Sequence, residues 1–160
     1  MAKKEDTDRQ IIATNRRARH DYEVLDTTEA GIALIGPEVK SLRDGKANLG
    51  DGYAHFRRGE MWLANVHIGA YEKAWRENAE PRRERKLLLH RAEIQRLAVK
   101  VAEKGLTLIP LRLYFKSGRA KVEIGLCRGK QRHDKREAIR QRENDRDLQR
   151  TMRGRGRSSR

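Results

Sequence analysis

The residues of this chain that could do chemistry are cations set beside flat polar groups. The run Asn15-Arg16-Arg17-Ala18-Arg19-His20-Asp21-Tyr22 puts three arginines next to an asparagine, a histidine and a tyrosine. Guanidinium groups bind phosphate, and the flat side chains offer faces for stacking on bases. The alternative is that Tyr22 and Val24 simply begin a strand, and both can hold at once. Lys40 and Arg43 lie three apart, on one side of a short helix if the stretch around them is helical. That side either faces an anionic partner or is merely solvated. Lys130, Lys135 and Arg136 crowd together after the last apolar stretch and read as a phosphate grip, against the alternative of a solubilising basic tail.

Catalytic sets are not evident. No CxxC, HExxH or GxxxxGK[ST] pattern is present. The five histidines (His20, His55, His67, His90 and His133) lack metal-ligand spacing, so neither a metal nor another cofactor is expected. Cys127 precedes Arg128, which could lower its pKa, but its place in an alternating strand favours a half-buried structural thiol. Asp44 and Asp51 are isolated acids, not the clustered carboxylates a metal-dependent nuclease needs. A binding protein, not an enzyme, is expected, with no small-molecule substrate.

The net charge of +15 and pI near 10.5 point to a polyanion, nucleic acid before a membrane surface. No apolar run approaches the roughly 18 residues of a membrane span. The start MAKKEDTDRQ lacks the apolar core of a signal peptide. One cysteine excludes an internal disulfide and suits a reducing cytosol, so a cytoplasmic protein is expected. A length of 160 residues, 36% hydrophobic and 38% charged, allows one domain with a small core.

The elements that must position these groups are short. Gly36–Tyr53 (GPEVKSLRDGKANLGDGY) reads as one helix and one turn. Pro37 suits the first helical position, Glu38 suits the positive end of the helix dipole, and Gly45 suits the residue after the end. Val39 and Leu42 make its apolar side, and positive φ is expected among Asn48–Gly52. Tyr22–Leu25 and Glu29–Ile35 are strand segments, and Arg58-Gly59 and Ser117-Gly118 turn two hairpins. Ile94, Leu97, Ala98 and Val101 recur at i, i+3, i+4, i+7, so Arg91–Lys104 is a helix that Gly105 ends. Leu87-Leu88-Leu89 before it reads as a buried anchor. Alternation slips by one residue at Pro110, which predicts a β-bulge or an edge position. Tyr71–Arg85 reads as a surface loop in which Trp75 either clamps the loop to the body, the favoured reading, or stacks on RNA. Two hairpins, earlier strands, a bulge and two helices suggest a small antiparallel Greek-key barrel.

From Arg128 onward 13 Lys and Arg stand against 5 Asp and Glu, a surplus of 8. Apolar residues there are too few to pack a helix on a body, so the free tail should be disordered. Yet Glu137–Met152 has no Pro or Gly and many helix formers, so an anionic surface could induce a helix.

Three stretches resemble the SmpB (SsrA-binding protein) family of bacterial trans-translation. Gly36, Glu38, Val39, Lys40, Ser41, Leu42, Arg43, Gly45, Lys46 and Asn48 match the pattern G-x-E-V-K-S-hydrophobic-R-x-G-K-x-N. Asn15, Arg17, Ala18, His20 and Tyr22 match N-[RK]-R-A-x-H-x-Y. Gly129–Arg136 is close to G-K-x-x-x-D-K-R, and Arg85–His90 resembles the family's RKLLLH run. The departures are Arg16, where lysine is common, and distal tail residues that match in charge pattern alone.

The resemblance implies a mostly β chain: a small closed OB-fold-like barrel with flanking helices and a disordered basic C-terminal tail. The expected division is a flexible N-terminal arm at 1–12, an RNA-binding barrel at 13–133 and a tail at 134–160. It implies binding of transfer-messenger RNA and delivery to stalled ribosomes, the barrel holding the tRNA-like part. The tail would enter the small-subunit decoding centre and the empty mRNA channel. The implied RNA surface is Asn15, Arg16, Arg17, Arg19, His20, Tyr22, Glu29, Lys40, Arg43, Lys130, His133, Lys135 and Arg136. Without the resemblance Glu29 reads as a solvated strand-edge charge. Arg140, Arg142, Arg146 and Arg150 are the expected ribosome-contacting residues of the tail. The rival expectation is a general structured-RNA or ribosomal RNA-binding protein.

Overall fold

The computed structural model describes residues 9–130 and 142–151. The chain divides into a unit ending at Gly129 and a second from Lys130 onward.

The first unit runs β1 (Arg9–Thr14), α1 (Arg16–Asp21), β2 (Tyr22–Ile32), α2 (Gly36–Arg43), β3 (Ala47–Asn48), β4 (Tyr53–Arg57), β5 (Glu60–Ala64), β6 (His67–Ile68), β7 (Arg85–Leu88), α3 (Arg91–Lys104), β8 (Thr107–Lys116) and β9 (Arg119–Gly129). All pairings are antiparallel, and among the described residues they return on themselves. β8 pairs with β9, β9 with β2, β2 with β7, β7 with β5 and β5 with β4. The Ala54↔Leu108 pair brings β4 back to β8 and closes the ring. The expected closed antiparallel architecture with flanking helices is present, and β3 and β6 form a separate two-stranded sheet.

Both hairpin turns have two successive positive φ values, Arg58 (52°) and Gly59 (76°), and Ser117 (51°) and Gly118 (75°). That backbone twist matches the strands it joins. The register of β8 on β9 shifts between Pro110 and Arg112. The slip at Pro110 is therefore a bulge, at a point where β9 pairs on one side while on the other side the pairing with β4 has ended at Leu108 and that with β1 begins at Arg112. α3 has the expected bounds, buries Leu97, and ends on Gly105 at φ 59°. Leu42, Met61, Leu63, Leu87, Leu113 and Ile124 belong to the main core. Ala18, Ile109, Leu111 and Cys127 form a smaller cluster.

Several expectations change. Residues 9–12 are not part of a loose arm: they lie in β1, which pairs with Arg112–Lys116 of β8, and Ile12 and Ala13 pack on the core. Gly50 and Gly52 do not have positive φ. Gly52 is required by space instead, since a Cβ there would lie 2.7 Å from Val66 Cγ2 and 2.9 Å from Pro110 Cγ. Leu87-Leu88-Leu89 is not uniformly buried, because β7 alternates and leaves Leu88 exposed. Trp75 does not clamp its loop and points to solvent. Arg83 and Arg85 do the clamping, as described below. Cys127 is fully buried, which pushes its thiol up to about 11.

In the second unit, residues 142–151 form an α-helix exposed at every position. Glu143 and Arg146, and Asp147 and Arg150, stand three apart, a spacing that supports a helix. Expectations for residues 131–141 and 152–160 lie outside the described residues.

Candidate nucleic-acid interface

A six-residue helix has little stability of its own, so α1 needs its cap and its anchor. Asn15 supplies the cap. Its Oδ1 accepts from the Ala18 N–H at 3.1 Å, and its Nδ2 donates to the carbonyls of Pro110 (3.0 Å) and Leu49 (3.3 Å). Ala18 anchors α1 in the smaller cluster, against which Tyr22 also packs. Arg16, Arg17, Arg19 and His20 are left exposed on the outer side. Arg17 pairs with Asp21 at 3.4 Å, and His20 Nδ1 lies 3.1 Å from the same carboxylate. Asn15 was expected on the RNA surface. It is buried with its amide committed to the protein, so its part is to position α1.

α2 is built the same way, around a carboxylate. Glu38 Oε1 accepts from the Ile35 N–H at 3.0 Å, closing the first turn. The same carboxylate receives Arg85 Nε at 2.5 Å and Arg83 Nε at 3.1 Å, with a further bond from Arg83 Nη2. Arg85 is 1% exposed and also donates to the carbonyls of Val66 (2.9 Å), Pro81 (3.0 Å) and Arg83 (3.1 Å). Burial pushes the Glu38 carboxyl up. Bonds from Arg83, the Ile35 N–H and Arg85 more than offset this and hold it below its ordinary 4.5. Burial draws the Arg85 guanidinium down against the pull of Glu38. It stays charged, because arginine does not deprotonate in proteins. With Leu42 and Ser41 buried, α2 turns Lys40 and Arg43 to solvent. The Lys40 ammonium lies 5.5 Å above the centre of the Tyr71 ring.

Glu29 is not a merely solvated charge. It sits inside β2, opposite Glu123 of β9. Like charges opposite each other repel, and cations answer both. Arg9 Nη2 (3.4 Å) and Lys116 Nζ (3.5 Å) reach Glu29, and Tyr114 donates its hydroxyl to it in a short hydrogen bond. Arg112 Nη2 reaches Glu123 at 2.7 Å. Burial raises the Glu29 carboxyl, but Tyr114, Lys116 and Arg9 together hold it below its ordinary value. Burial and the bond to Glu29 push the Tyr114 phenol far up, so it stays a donor. Alternation after the bulge puts Arg112, Tyr114 and Lys116 on one side of β8, a signal in the sequence that no motif captured.

The expected residues do not form one pocket. Glu29 lines a groove of about 1000 Å³ together with Arg58, Lys86, Leu88, Arg91 and Lys121. Arg17 and Tyr22 line a separate cleft of about 390 Å³ with Asp51, Tyr53 and Thr107. Lys130 is exposed, and Arg142, Arg146 and Arg150 recur every four residues along the tail helix. His133, Lys135, Arg136 and Arg140 lie outside the described residues. Among the described residues no group of three or more His, Cys, Asp or Glu could hold a metal ion. None of their helices is long and apolar enough to cross a membrane. The arrangement is a set of spread cations, suited to a long polyanion.

Known proteins share this sequence and fold. The SsrA-binding protein of Kineococcus radiotolerans is 58% identical over 147 residues, 92% of this chain and 94% of that one. The SsrA-binding protein of Syntrophotalea carbinolica is 54% identical over 145 residues, 91% and 97% of the two chains. A chain of the solved structure described as "tmRNA-SmpB: a journey to the center of the bacterial ribosome" superposes with a TM-score of 0.66 at 56% identity. That match covers 80% of this chain and 94% of the other. The SmpB protein family itself matches residues 12–154, and the chain therefore belongs to the SmpB family.

Proposed function

We propose that this chain binds transfer-messenger RNA and delivers it to stalled ribosomes for trans-translation. The observation that carries this is that relatives named SsrA-binding proteins match across nine-tenths of both chains. Alongside it, Arg16, Arg17, Arg19, Lys40 and Arg43 are held outward by buried caps. The solved neighbour, whose description joins tmRNA, SmpB and the bacterial ribosome, supports both partners.

In this reading the cations of α1 and α2, with Lys130, His133, Lys135 and Arg136, grip phosphates. His20 and Tyr22 stack on bases, and Glu29 accepts from base or ribose donors. The tail residues Arg140, Arg142, Arg146 and Arg150 contact the decoding centre and the message channel. Arginines four apart repel along a free helix, and rRNA phosphates would relieve that repulsion. A channel filled by message excludes the tail, so the selection of stalled ribosomes is steric and electrostatic. The protein acts by binding, with no chemical step of its own, in the cytoplasm where ribosomes work.

The test has two arms. Binding to a tRNA-like RNA is compared with binding to duplex RNA of equal length at rising salt. Neutralising a single phosphate-gripping cation should flatten the log–log salt slope by about 0.7–0.9. Removal of 137–160 should leave RNA binding intact and abolish tagging on stalled ribosomes. Equal affinity for both RNAs would favour a general RNA binder. Loss of RNA binding in the truncated chain would put the grip in the tail.

A further inference from the structure

The loop between β6 and β7 takes no part in the contacts proposed above. At its tip Trp75 is 84% exposed, more than any other large apolar side chain among the described residues. Its backbone sits at φ 50°, ψ −109°, which a bulky L-residue rarely adopts. Strained backbone at an unburied aromatic is a mark of use, because packing gives it no return. The loop is nonetheless held in place. Asn78 Oδ1 accepts from the Tyr71 N–H at 3.0 Å, and its Nδ2 donates to the carbonyls of Tyr71 (2.9 Å) and Trp75 (3.3 Å). Lower down, the Pro81 carbonyl accepts from the Ile68 N–H at 2.9 Å and from buried Arg85. The Tyr71 ring at the root lies against Lys40 of α2.

An indole presented this way suits either a nucleobase or an apolar protein pocket. The surroundings favour the base. Arg76 is adjacent and exposed, Lys40 stands at the root, and the whole chain carries +15. Within the loop Lys73, Arg76, Arg82 and Arg83 balance Glu72, Glu77, Glu80 and Glu84, so the loop itself is no phosphate grip. That suits stacking, which depends on a π face and tolerates any base. We propose that Trp75 is a stacking platform for an unpaired nucleotide, a contact beyond the cations of α1 and α2. The proposal rests on the RNA-binding function above but on none of the tail residues.

The chain has two tryptophans, so Trp62→Phe leaves Trp75 as the sole emitter. Its emission is followed while the full chain is titrated with the tRNA-like domain of transfer-messenger RNA, a short oligoadenylate and a fully paired duplex. The first two should quench Trp75 and shield it from acrylamide, and the duplex should bind without quenching. In the otherwise native chain, Trp75→Ala should weaken binding of the tRNA-like domain on the order of 5- to 100-fold, with Trp75→Phe recovering part. Normal binding by Trp75→Ala with no quenching overturns stacking, leaves the proposed function standing, and turns Trp75 into an anchor for a protein. If the tRNA-like domain is bound no better than duplex, the proposed function fails on its own. The oligoadenylate then decides the stacking site: quenching upholds it and an unchanged emission overturns it.

Discussion

Replacing Glu38 with alanine removes the carboxylate that closes α2 and pairs with Arg83 and Arg85. What remains is a guanidinium with 1% of Arg85 exposed and no counter-ion at hydrogen-bond distance among the partners described. Breaking a buried pair from one side costs about 3–5 kcal/mol. Arg85 keeps the carbonyls of Val66, Pro81 and Arg83, so the lower figure, about 3 kcal/mol, applies. For a chain of this size that is a fall in Tm of about 6–12 °C. Glu38→Gln keeps an acceptor and should cost about half as much. Equilibrium urea unfolding followed by far-UV circular dichroism measures both. The pH dependence is a second reading of the same bond. The folded carboxyl lies below its ordinary 4.5, so its stabilisation is complete above that value and drains away as pH falls through the folded value. Acidification below about pH 4.5 should destabilise the native chain more steeply than Glu38→Gln. A loss under about 1 kcal/mol in Glu38→Ala, or parallel pH profiles, would refute the role given to this carboxylate.

Tyr114→Phe deletes the hydroxyl that Glu29 accepts from and should cost about 1.5–3 kcal/mol, with a rise in the Glu29 pKa visible by NMR titration. Asn15→Ala takes the cap from α1 and leaves the carbonyls of Leu49 and Pro110 without that donor, a loss of about 1–3 kcal/mol in the same unfolding assay. Its RNA affinity should fall as well, and adding a more distant basic residue should not restore it.

Features written in neighbouring residues were legible. Pro37, Glu38 and Gly45 bracket α2, Gly105 stops α3 at its expected bound, and the broken alternation at Pro110 marks a bulge. Features that join distant residues were not. Arg85 looked like the end of a surface loop, and its partner Glu38 lies 47 positions earlier. Tyr114 and Glu29, 85 apart, left no shared local pattern. Arg9 sat in a polar opening stretch, and only the strand offered by β8 turned it into β1. Trp75 was misjudged because a large aromatic is usually covered, whereas this one is held away from the body. Of the candidate interface, the exposed cations were read from type and spacing. The exception was Asn15, whose polar side chain is committed inside.

The amide of Asn15 also dictates an order of events at birth. Two of its partners lie 34 and 95 positions further along the chain. Its cap bond to Ala18 is local, but a helix of six residues cannot persist unanchored. Both those carbonyls and the Ile109, Leu111 and Cys127 side chains that hold Ala18 come later, so a nascent chain leaving the ribosome does not hold α1 in place until they have emerged and docked. The basic N-terminal segment is synthesised early but shaped late. An unfinished copy therefore lacks the shaped grip with which to sequester RNA.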